Sequence, residues 1–163
     1  MKRFNCLDFT EKQSRQETYN LMENRNAMEA HDPDFWNHHS LHYLEMAFET
    51  GNMEKIQNPD GYGTRTGDCG DTAMFYILVK DNCLAHISFQ VQGCMNTTAC
   101  CNTLVKLARN KSVAEAWEIT ADDVIDFLET LPEDHEHCAE LSVGAFYRAL
   151  TDYEHKHRGD KFA

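Results

Sequence analysis

The chain has 163 residues, a net charge of −12 and 42% hydrophobic residues. That length suits one domain with a terminal extension. The acidic balance excludes a general nucleic-acid binder and an anionic membrane surface as partner, because both require a cationic protein face.

The longest apolar run, Ala73 to Val79, is strand-length and far short of the roughly 18 residues of a membrane span. The start, MKRFNCLDFTEKQ, carries basic residues with no apolar stretch behind them. It does not read as a secretory signal, and cytoplasmic residence is expected. Seven cysteines are an odd count. In a reducing compartment such thiols are metal ligands, nucleophiles or small buried hydrophobes.

Residues 1–35 are polar and read as an extension, helical from Thr10 with Gln13 completing a capping box, or loosely docked. A domain over 36–155 follows. From Ser40, the residues Leu41, Leu44, Ala47 and Phe48 recur at helical spacing, and Gly51-Asn52 supplies a stop. QNPDGYGTRTGDCG, over 57–70, is loop and turn chemistry that can flank a short edge strand. Thr72–Lys80 and Leu84–Val91 read as a hairpin across Asp81-Asn82. In its second arm, Ala85, Ile87, Phe89 and Val91 are expected on the buried face.

The remainder is helical. One helix starts after Gly93. Ser112-Val-Ala-Glu115 and Thr120-Ala-Asp-Asp123 are capping boxes that open two more. Pro132 ends the last of these, and a final helix begins near His137. The tail, residues 156–163, is expected to fray. Strands followed by helices give an α+β fold, a small antiparallel sheet with helices packed on one face.

Three cysteines fall at element ends, where loops converge. Cys69 lies in Gly-Asp-Cys-Gly-Asp before the first hairpin strand. Cys94 and Cys138 stand at helix starts, where free N–H groups and partial positive charge favour thiolate. Gly70 and Gly93 would let backbone approach a bound group closely. Cys83, Cys100 and Cys101 read as packing thiols, and Cys6 as an exposed thiol. His38, His39, His42 and His135 read as surface or loop residues.

The set CGD at 69–71, QGC at 92–94 and HC at 137–138, with NPDGYG at 58–63, resembles the cysteine motifs of the IscU/NifU family. The resemblance covers about residues 40–153, and the intervals of 25 and 44 residues between the cysteines match. It implies an iron–sulfur cluster assembly scaffold. Such a protein takes sulfur from a cysteine desulfurase and iron from a donor, builds a transient [2Fe–2S] cluster, and passes it to apo acceptor proteins. By position, Cys69, Cys94 and Cys138 are implied as ligands or persulfide carriers, with Cys138 and then Cys69 the first sulfur acceptors. Asp71 and His137 are the implied non-cysteine participants. The longer insertion between the last two cysteines of SufU-type relatives is absent.

The chemistry of the residues agrees. Three thiolates leave one cluster position to another ligand, and a carboxylate is a harder donor that holds iron–sulfur less permanently. The same set could bind zinc tetrahedrally, which gives the alternative of a zinc-dependent sulfur acceptor for a desulfurase. Two departures from the family stand out. Leu131-Pro132 is all that remains of an LPPVK-like chaperone segment, and Met95, Asn96 and Thr97 replace the usual small residues after Cys94.

Overall fold

The structure, a computed structural model, describes residues 34–158. The helix expected from Thr10 and the last five residues of the tail lie outside them. A short helix α1 (Phe35–His38) leads into α2 (Leu41–Phe48). Ser40 opens α2 by accepting the Tyr43 N–H at its hydroxyl. That hydroxyl also donates to the Leu128 carbonyl at 2.7 Å, which ties the start of α2 to a distant helix end.

Strands β1 (Gly61–Thr66), β2 (Thr72–Lys80) and β3 (Cys83–Gln92) form one antiparallel sheet in that order. Asp81 and Asn82 have φ of 52° and 63°, the left-handed pair that a two-residue hairpin requires. The glycine-rich stretch before Cys69 therefore contains a complete edge strand. Its glycines have a packing reason: a Cβ on Gly61 or Gly63 would overlap the carbonyl oxygens of Ala149 or Ala145 on the last helix.

The helices follow as α3 (Met95–Ala108), α4 (Val113–Ala116), α5 (Ala121–Leu128), a 3₁₀ turn over Glu133–His135, and α6 (Glu136–Arg158). Both expected capping boxes are formed, Ser112 with Glu115 and Thr120 with Asp123. The final helix runs on through Arg158. Among the described residues, no helix is long and apolar enough to cross a membrane.

The sheet turns Ala73, Phe75, Ile77 and Phe89 into the core, all fully buried. Phe75 meets Phe89 at 5.8 Å and Phe146 of α6 at 5.6 Å between ring centroids. Burying side chains of this size contributes about 1.5–3 kcal/mol each. The α+β arrangement expected from the sequence is present. One part of the alternation is not. Leu78 pairs with His86 and Val79 with Leu84, so Ala85 is an extra residue in β3. This bulge reverses the phase, placing Leu84 in the core and leaving Ala85 exposed.

Candidate functional site

The turn from β1 to β2 is closed by two hydrogen bonds, from Gly67 N–H to the Asp71 carbonyl at 2.9 Å and from Gly70 N–H to the Gly67 carbonyl at 3.0 Å. Gly70 has φ of +89°, a conformation that disfavours any other residue. The result presents Asp68 and Cys69 to solvent and directs Asp71 toward the start of α3.

Asp71 Oδ2 accepts the Cys94 N–H at 3.0 Å and the Thr97 hydroxyl at 2.6 Å. Those bonds, Thr97's first, hold the Asp71 carboxyl below its usual range. Cys94 is the N-cap of α3 and makes no side-chain cap of its own. The Asp71 carboxylate stands there instead, where the helix end favours negative charge.

Cys138 is the third residue of α6 and is fully buried. Burial pushes its thiol up to about 12, with the nearby Thr97 acting the other way. The expectation of a favoured thiolate is therefore corrected for Cys138. Removing charge from water outweighs a helix-end field worth roughly 0.3–1 kcal/mol.

Ligating atoms of Asp71, Cys94 and Cys138 lie within 4.8 Å of one another. His137 Nε2 is 3.6 Å from Cys138 Sγ. The fourth and fifth sequence candidates thus divide: His137 borders the group, while Cys69 lies outside it. Cys69 lines an open cleft of about 400 Å³ with His137, Arg65, Glu140 and Leu141.

Two contributors, Thr97 and Tyr43, were missed in the sequence, and a third, Gly93, was read there only as admitting close backbone approach. Thr97, fully buried, touches the site from α3. Gly93 leaves room for Asp71. Tyr43, 1% exposed, donates to Asn96 Oδ1 at 2.5 Å and so braces the first turn of α3 from behind. Burial, followed by the neighbouring Cys100, Cys94 and Cys138 thiols, pushes the Tyr43 hydroxyl up to about 12. The replacement of small residues after Cys94 was the one signal that could have pointed to Thr97.

The other candidates are placed as follows. Cys100 and Cys101 are packing thiols, fully buried and raised by that burial. Cys83, at the head of β3, is only half-buried and so is not a core residue. Cys6 lies outside the described residues. His39 stacks on Tyr43 at 4.1 Å and His42 on Phe127 at 4.8 Å between centroids. His135 is bonded to Asp134 at 2.9 Å.

Two thiols, one carboxylate and an adjacent imidazole are a donor set suited to zinc or to iron with sulfide. The sequence pattern of the NifU-like N terminal domain matches residues 42–160. The chain is 40% identical over 106 residues to the iron–sulfur cluster assembly scaffold protein IscU 1 of Archaeoglobus fulgidus, spanning 64% of this chain and 69% of that one. It is 30% identical over 118 residues to the scaffold protein IscU of Haemophilus influenzae, spanning 71% and 93%. The N-terminal NifU-like protein of Brucella abortus has the same fold, with a TM-score of 0.61 at 15% identity over 72% of this chain and 94% of that one. FiSufU of Fervidobacterium islandicum also shares it, with a TM-score of 0.60 at 18% identity over 70% and 97%. With this sequence match over most of its length, and with the motif cysteines and aspartate on the elements just described, the chain belongs to the IscU/NifU family, as a NifU-like N-terminal domain.

Proposed function

We propose that this chain assembles an iron–sulfur cluster as cargo and hands it to acceptor proteins. Asp71, Cys94 and Cys138 hold the cargo, with Cys69 swinging in from its turn and His137 as the neighbouring donor. The observation that supports this most is the convergence of Asp71, Cys94 and Cys138 from three separate elements onto one spot. A carboxylate beside two thiolates makes a site that can release what it builds, because oxygen is a poor partner for iron–sulfur. The cargo is a [2Fe–2S] cluster, and zinc can take the same ligands. The partners are a cysteine desulfurase, an iron donor and apo acceptor proteins.

Sulfur enters at Cys69, the exposed thiol. The desulfurase persulfide is attacked at its outer sulfur by the Cys69 thiolate. The donor S–S bond breaks, a new one forms on Cys69, and the donor leaves as thiolate. Exposure of Cys69 beside a partly buried Asp71–Cys94–Cys138 group also favours a second reading. In it, zinc rests on those residues and Cys69 only relays persulfide.

Anaerobic incubation with desulfurase, cysteine and ferrous iron separates the two. Visible absorption with matched iron and acid-labile sulfide, lost in Cys94→Ser, is the result expected of a scaffold. Retained zinc and persulfide on Cys69 without that absorption would establish the relay.

A further inference from the structure

The Thr97 side chain is fully buried and sits one helical turn into α3 from Cys94. Its oxygen is 2.6 Å from Asp71 Oδ2 and 3.5 Å from Cys94 Sγ. One side chain thus touches two members of the group. A hydroxyl has a single proton, and the short contact assigns it to Asp71, because a carboxylate is an acceptor only. The Cys94 thiol is then the donor toward Thr97. The two bonds from Thr97 and the Cys94 N–H both fall on Oδ2, so the carboxylate is fixed in rotation.

We propose that Thr97 is a positioning residue that sets the Asp71 carboxylate for metal binding beside Cys94 and Cys138. The proposal rests on the reading of Asp71, Cys94 and Cys138 as ligands. Loss of the Thr97 hydroxyl leaves Asp71 with one hydrogen bond and free rotation, so ordering the carboxylate is left to the metal. Groups that orient ligands in this way typically carry about 10–100-fold in metal affinity.

The test is titration of the anaerobic protein with cobalt(II), followed by its visible and thiolate charge-transfer absorption, with zinc competition for affinity. Thr97→Val keeps the shape and removes the hydroxyl; Thr97→Ser restores it. Thr97→Val should bind about ten-fold more weakly, with a shifted visible spectrum, and Thr97→Ser should recover both. In an Asp71→Ala background, Thr97→Val should change neither. Thermal melting and far-ultraviolet circular dichroism check the fold of each variant. Wild-type-like affinity and spectrum in a folded Thr97→Val overturn the proposal while leaving the ligand reading intact. So does an equal loss on the Asp71→Ala background, which would show Thr97 acting through the Cys94 thiol or the fold and not through Asp71. Wild-type protein showing no thiolate charge-transfer band overturns the ligand reading and this proposal together.

Discussion

A Cβ added to Gly93 would stand 2.5 Å from the carboxyl carbon of Asp71. The two residues are neighbours because Asp71 reaches over the end of β3 to accept the Cys94 N–H. Gly93→Ala should therefore displace the carboxylate and remove both of its hydrogen bonds. The expected cost is about 1.5–3 kcal/mol for a charged acceptor, read as a shift in denaturant midpoint with unchanged slope. Cobalt(II) affinity should fall in the same variant. Unchanged stability and affinity would mean that Asp71 has other ways to meet the helix.

Thiol chemistry should divide the cysteines by exposure. Cys69 is exposed, while Cys100, Cys101 and Cys138 are fully buried. Timed alkylation of the metal-free native protein, read by peptide mass spectrometry, should label Cys69 first and Cys138 at least about ten-fold more slowly, because the buried thiol is shielded from reagent. Persulfide delivered without iron should follow the same order. Sulfur found first on Cys138 would require α6 to open before transfer.

Ser88 is fully buried, and its hydroxyl has no hydrogen-bond partner among the described residues. An unmet buried donor costs about 1–3 kcal/mol. Ser88→Ala should raise stability by about 1 kcal/mol on that basis, seen as a higher denaturant midpoint. A loss of stability would show that the hydroxyl is bonded in solution.

The capping box of α4 predicts a pH dependence. The Ser112 hydroxyl, and then its N–H, hold the Glu115 carboxyl below its usual range. A depressed folded-state pKa stabilises the fold above the unfolded value, near 4.3. That stabilisation is lost as pH falls through the lower folded value. Glu115→Gln should flatten this part of the acid limb of a stability profile, and Ser112→Ala should do the same. Identical acid limbs in wild type and both variants would remove the box from the account.

Local signals were legible in the sequence, and tertiary ones were not. Ser112 and Thr120 announce their helices because a capping box lies within four residues. The motifs around Cys69, Cys94 and Cys138 told which residues to watch. They could not tell that Cys138 is sealed in the core, because its burial comes from residues far along the chain. The bulge at Ala85 stayed hidden because strand alternation assumes an uninterrupted ladder. β1 was only half visible, since glycines that admit α6 look like turn residues until the helix is seen against them. Thr97 was noticed as a departure, but its partner Asp71 is remote in sequence.

Asp71 precedes the middle strand, Cys94 opens a helix after the third, and Cys138 rides on the last helix. During synthesis the first two emerge from the ribosome well before the third. A nascent chain therefore offers scattered thiols and no chelating geometry until α6 has docked over β1. On the proposed ligand set, loading would be coupled to completion of the fold, since a site absent from the unfolded chain turns binding energy into folding energy. Truncated or stalled products that lack the final helix would keep Asp71 and Cys94 but lose Cys138, and with it the third member of the group.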